Sequence, residues 1–130
     1  MLAGKKDEKR ILVVEDEGMI QQVLAIRLKV NHFQVLLASD GEEGLAVIRK
    51  EKPDLVILDL MLPKVNGYEL CRMIKFDEAL KSIPVIILSA LERSIDRERA
   101  SEAGADAYFI KPFDLSLLVV KINELLKPSR

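Results

Sequence analysis

The sequence predicts an α/β fold, a (βα)5 unit whose five-stranded parallel sheet is doubly wound, with helices on both faces. Two observations lead there. Short apolar runs alternate along the chain with segments of helical periodicity. Four of those runs also end in polar residues: Ile11-Leu12-Val13-Val14 in Glu15-Asp16, Leu55-Val56-Ile57-Leu58 in Asp59, Val85-Ile86-Ile87-Leu88 in Ser89, and Ala107-Tyr108-Phe109-Ile110 in Lys111. Open parallel sheets bind ligands beyond the carboxyl ends of their strands, so these side chains are expected to meet at one edge.

The elements follow in order. Residues 1–9, with Gly4, Lys5, Lys6, Asp7, Glu8 and Lys9, read as a solvated tail, and structure is expected to begin near Arg10. After the first strand, Ile20, Val23, Leu24 and Leu28 keep the spacing of an amphipathic helix. A strand over 33–38 contains Gln34 and suits a sheet edge. Asp40-Gly41 opens a helix over 42–51, and Pro53 stops it. Next come a strand over 55–59, a loop with Pro63 and Asn66-Gly67, a helix over 67–76 and a strand over 84–89. A weaker helix over 95–103 is closed by Gly104. A last strand over 107–110 precedes a helix whose stripe runs through Leu115, Leu118, Val119, Ile122, Leu125 and Leu126. The first, third and fourth strands are apolar on both faces and should be central.

Composition narrows the function. The 130 residues, 49% hydrophobic, make one domain with a real core. Lys plus Arg (20) nearly balances Asp plus Glu (21), and no basic block or stripe predicts direct nucleic-acid binding. Apolar stretches of about five residues fall far short of the roughly 20 that a membrane helix needs, so no membrane insertion is expected. The charged N-terminus lacks a secretory core, which predicts a cytoplasmic location. Cys71, the lone cysteine, excludes an internal disulfide, fits a reducing compartment and reads as a buried inert thiol. His32 reads as a turn residue.

At the strand ends, Asp59 is the foremost candidate. A strand-end carboxylate beside a divalent metal can attack a phosphoryl group and carry it as an acyl phosphate. Glu15 and Asp16 would repel it and each other unless a cation intervenes, and magnesium is a hard ion that takes one or two carboxylates plus waters and a phosphate. Lys111 offers a point charge for a phosphate oxygen, and Ser89 a hydroxyl for another.

Five stretches, ILVVEDE (11–17), PDLVILDLMLP (53–63), NGYEL (66–70), IPVIILSA (83–90) and GADAYFIKPF (104–113), together resemble the receiver domain of two-component response regulators. The resemblance covers residues 10–127, with 128–130 left as a terminal tail or linker start. It implies a flavodoxin-like strand order 2-1-3-4-5 and an Asp59 phosphorylated from a phosphohistidine on a sensor histidine kinase or phosphotransfer protein. Mg2+ would be held by Asp16, Asp59 and the Met61 carbonyl, with Glu15 acting through water. Ser89 and Tyr108 would form the switch, Lys111 would bond the phosphoryl oxygens, and the Lys111-Pro112 peptide would be cis. Downstream proteins would be met through the fourth helix, fifth strand and fifth helix, and such domains can dimerise on phosphorylation. Leu117 stands where the acid of one such dimer belongs, which counts against that dimer. Apart from its own phosphorylation and slow autodephosphorylation, no enzymatic activity is expected.

Met61 and Leu91, two residues beyond Asp59 and Ser89, are apolar and cannot align an attacking water, which predicts a long-lived acyl phosphate. The fourth helix, with little apolar anchoring, should move most. The residues present oppose three other functions. A phosphatase of the haloacid dehalogenase type needs an Asp where Met61 stands. A nucleotide- or flavin-binding module lacks a P-loop, and the Glu15-Asp16-Glu17-Gly18 turn would repel phosphate. A receiver-like interaction domain that takes no phosphate is opposed by the complete site. Residues 10–127 leave no room for an effector domain in this chain, which predicts either a single-domain regulator or part of a longer protein.

Overall fold

The computed structural model describes residues 8–128. Most of the two tails expected at 1–9 and 128–130 lies outside the described residues. Lys9 belongs to the fold, because its carbonyl accepts the Gln34 amide at 2.9 Å. The chain alternates β1 (Arg10–Val14), α1 (Gly18–Val30), β2 (Gln34–Ala38), α2 (Gly41–Glu51), β3 (Leu55–Asp59), α3 (Gly67–Lys75), β4 (Val85–Ser89), α4 (Ser94–Glu102), β5 (Ala107–Ile110) and α5 (Leu115–Leu125). The sheet is parallel in the order β2-β1-β3-β4-β5, as expected, with β2 at an edge.

Strand periodicity divides the core into two layers. Leu12, Val14, Val56, Leu58, Val85 and Ile87 face the α2–α4 side, where Ile48, Leu70, Cys71 and Ile74 cover them. Ile11, Val13, Leu55, Ile57, Ile86 and Leu88 face α1 and α5 through Leu24, Leu28, Leu118 and Ile122. Each Leu or Ile fully buried here contributes about 1.5–3 kcal/mol of transfer free energy. The apolar stripe of α1 is wider than the sheet can cover: Leu24, Ala25 and Leu28 are buried, whereas Val23 is 45% exposed.

Local chemistry sets the boundaries near the strand ends. Asp40 caps α2 by accepting from the Glu43 amide, and Asn66 caps α3 by accepting from Glu69. Gly67 begins α3 where a Cβ would collide with the backbone of Asp59 and Leu60, so glycine lets the helix pack directly on the end of β3. His32 adopts a positive φ of 69° in the turn before β2, in keeping with a turn role. The peptide between Lys111 and Pro112 is cis, as expected.

α4 stands apart. Its buried residues are Asp96 and Ala100, and no large apolar side chain anchors it. Arg93 pairs with the buried Asp96 at 3.1 Å. The guanidiniums of Arg97 and Arg99 lie over the rings of Tyr108 and Tyr68, at 5.4 and 4.1 Å from the centroids. Such stacks contribute about 0.5–1 kcal/mol each at exposed positions, well below a buried leucine.

Candidate functional site

Parallel strands in register deliver their last residues to one edge, and there the structure gathers Glu15, Asp59, Ser89 and Lys111. Asp59 closes β3 and is 5% exposed. Its Oδ1 accepts the Met61 amide at 3.0 Å, and its Oδ2 accepts from Lys111 Nζ at 2.9 Å. One oxygen is thus held by backbone and the other by a side-chain ammonium. Glu15 follows β1 and is buried; its Oε1 accepts from Lys111 Nζ at 2.9 Å and its Oε2 from the Glu17 amide at 3.1 Å. The Gln21 side-chain amide donates to the carbonyls of Glu15 and Ala38, which pins this corner to α1.

Lys111 therefore bridges two strand-end carboxylates, with Glu17 Oε1 at 3.6 Å as a third. Burial works against its ammonium, yet the hydrogen bonds it donates to Asp59 and Glu15 outweigh it and hold the pKa above the ordinary lysine value. Burial pushes the Glu15 carboxyl above the ordinary glutamate value, opposed by its bond to Lys111. Oxygens of Glu15, Glu17 and Asp59 lie within 4.8 Å of one another. Three carboxylates facing one ammonium leave two negative charges in excess, and this all-oxygen donor set suits a hard divalent cation.

Asp16 is exposed and its carboxylate lies outside this cluster, in which Glu17 stands as a further candidate ligand. Successive residues leaving a strand face opposite sides, and the turn that brings the Glu17 amide onto Glu15 also returns the Glu17 side chain to Lys111. Sequence reading passed over Glu17. The only signal for it was its place in the acidic Glu15-Asp16-Glu17 run.

Ser89 ends β4, fully buried, and its Oγ accepts the Leu91 amide at 3.1 Å. The Lys111 amide donates to the Ser89 carbonyl at 2.8 Å, joining the ends of β4 and β5. Tyr108 is half-buried against the α2–α4 layer, and its hydroxyl donates to the Leu91 carbonyl at 2.7 Å. Ser89 and Tyr108 therefore meet across the main chain of one residue, Leu91. Burial raises the pKa of the Tyr108 phenol, and the Ser89 side chain, which also acts on it directly, opposes that rise. Met61 is 63% exposed at the rim. Beside the crevice, Met19, Ile20, Val23, Pro112, Phe113 and Leu115 line an open apolar hollow of about 480 Å³ that reaches Glu17 and Lys111. No helix among the described residues is long and apolar enough to cross a membrane.

The family model described as the response regulator receiver domain matches residues 11–123. Among curated proteins, the chain is similar to the transcriptional regulatory protein CseB of Streptomyces coelicolor, 42% identical over 93% of this chain and 50% of that one. It is also similar to the DNA-binding dual master transcriptional regulator RpaA of Synechocystis, 38% identical over 91% of this chain and 49% of that one. The chain spans about half the length of the curated relatives it matches. Among solved structures, the Francisella response regulator 1452 receiver domain superposes with a TM-score of 0.85 at 29% identity, covering 92% of this chain and 97% of that one.

Proposed function

Because the chain belongs to the response regulator receiver domain family of two-component systems, we propose that it is a phosphorylation-activated switch of a phosphorelay with Asp59 as its phosphoacceptor. The observation that carries this reading is the Lys111 bridge, which holds Asp59 and Glu15 together at the mouth of a parallel sheet. An Asp59 carboxylate oxygen attacks the phosphorus of a phosphohistidine on a sensor histidine kinase or phosphotransfer protein. The P–O bond forms as the N–P bond breaks, and the imidazole nitrogen leaves with the electron pair. Lys111 then exchanges the Asp59 oxygen for a phosphoryl oxygen, the Ser89 hydroxyl turns to donate to another, and Tyr108 follows through Leu91. The apolar hollow beside Lys111 is where a donor protein would rest while its phosphohistidine enters the crevice.

Magnesium bound here would neutralise charge as it develops on the phosphoryl oxygens. Glu15, Glu17 and Asp59 offer the oxygens that would hold it, and Asp16 and the Met61 carbonyl complete the proposed set. Magnesium titrations of Asp16→Asn and Glu17→Gln tell which of the two ligates, since only a ligand's loss weakens affinity tenfold or more, on the order of 1.4 kcal/mol. Beyond its own phosphorylation and slow autodephosphorylation, the chain turns over no substrate. With Met61 and Leu91 unable to orient water, the acyl phosphate should outlast that of fast-decaying relatives, a comparison of decay without phosphatase. The output passes in the cytoplasm through α4, β5 and α5 to a protein partner or effector domain, and phosphorylation-dependent dimerisation is part of this proposal.

Intact mass after incubation with magnesium and acetyl phosphate tests the assignment. A phosphoryl adduct on the native chain that is absent from Asp59→Asn supports it. A folded, magnesium-binding chain without adduct would favour a phosphate-independent interaction domain.

A further inference from the structure

The whole chain has two tyrosines, and α4 carries an arginine over each of them. Asp96 and Ala100 mark the direction in which α4 faces the sheet. At 3.6 residues per turn, positions 97 and 99 fall on opposite flanks of that direction, roughly 80° to either side. Arg97 reaches Tyr108 on β5, and Arg99 reaches Tyr68 on α3. Each tyrosine also holds the same region by its hydroxyl: Tyr68 donates to the Asp96 carbonyl at 3.4 Å, and Tyr108 to the Leu91 carbonyl in the loop that leads into α4. Among the described residues, Arg93 takes the buried carboxylate of Asp96, and neither Arg97 nor Arg99 has an ion pair. Ring faces are their partners.

We propose that Arg97 is a positioning residue for Tyr108, holding the phenol where its hydroxyl reaches Leu91, while Arg99 on Tyr68 keeps α4 in the register that lets Arg97 reach. This rests on the reading of Tyr108 as the switch. A half-buried phenol on an edge strand has apolar cover on one side, and the guanidinium supplies cover for its face on the other. To leave this pose the ring must give up the stack as well as the hydrogen bond, so the arginine biases the ring's position before any phosphoryl group arrives. α4 has no large buried side chain that would fix the register instead.

The test uses 3-fluorotyrosine in the full chain without phosphodonor, giving two 19F resonances assigned through Tyr68→Phe and Tyr108→Phe. In Arg97→Gln the Tyr108 resonance should move, reporting a shift of roughly two- to fivefold away from the Leu91-bound pose, the size expected for one exposed stack. The Tyr68 resonance should stay, and Arg97→Lys should recover part of the shift. In Arg99→Gln the Tyr68 resonance should move, with Tyr108 following by a smaller amount. Arg72→Gln, which removes a guanidinium stacked on Phe76, is the control and should move neither. A Tyr108 resonance indifferent to Arg97→Gln, or equally displaced by Arg72→Gln, overturns the proposal. Phosphorylating the native chain at Asp59 tests the switch separately: no response of Tyr108 would sink that reading, while the comparison of unphosphorylated variants would stand.

Discussion

α3 and α4 are both nine residues long and lie over the same face of the sheet, yet they are held by different physics. α3 begins with a glycine pressed on the backbone of Asp59 and Leu60 and sinks Leu70, Cys71 and Ile74 completely into the core. α4 presents the core with an alanine and an ion-paired aspartate, and depends on arginines lying over tyrosine rings. The helix after the candidate phosphoacceptor strand is anchored, and the helix after the Ser89 strand is latched. A fold built this way keeps the Asp59 carboxylate still while the neighbouring surface can shift at low cost.

The comparison can be broken in four ways. The largest effect concerns Cys71, whose thiol donates to the Ala103 carbonyl just beyond α4 and whose pKa burial pushes up to about 12 from 9.0. At neutral pH its thiolate should be roughly a thousandfold scarcer than that of an ordinary thiol. A thiol reagent should modify the folded chain correspondingly slowly, and labelling as quick as in urea would show that α3 is not anchored. Next, Leu70→Ala should cost about 3 kcal/mol in urea unfolding because it empties a fully buried site. A loss under 1 kcal/mol would erase the distinction between the helices. Third, amides of α4 should exchange at least about tenfold faster than those of α3; equal protection would mean that the arginine stacks hold as firmly as a core.

The smallest effect is acidic. The hydrogen bond from Arg93 holds the Asp96 carboxyl below the ordinary 3.8. A depressed folded pKa contributes stability that is present above the unfolded value and is lost as pH falls through the folded one. Protection of α4 should therefore decline below about pH 4 in the native chain, and Asp96→Asn should lack that step. An unchanged acid profile in the variant would assign the loss to another carboxylate.

The sheet was legible because its signals are local. Strand boundaries agreed with expectation to within one residue, since β1, β3 and β4 are continuous apolar runs with a polar stop. Asp59, Glu15, Ser89 and Lys111 were legible for the same reason: a parallel sheet carries every strand end to one edge. What escaped depends on how a turn is folded or on pairs distant in sequence. Asp16 and Glu17 differ in type by one methylene, and only the turn after β1 decides which returns to Lys111. Arg97 and Arg99 sit in a polar stretch that reads as a solvated face. Their partners, Tyr108 and Tyr68, lie on two other elements, and no periodicity marks that pairing. Val23 fell on a helical stripe that says which residues are apolar but not how much of the helix the sheet can cover.

Leu91 gives its amide to Ser89 Oγ and its carbonyl to the Tyr108 hydroxyl. The path from the crevice to the outer surface therefore runs through both main-chain groups of residue 91, while its side chain packs against the same apolar cluster as Tyr108. Signal lifetime and signal transmission thus share a single position. A different side chain there would change the approach of water to Asp59 and the packing beside Tyr108 together, and only the two main-chain hydrogen bonds are indifferent to its identity.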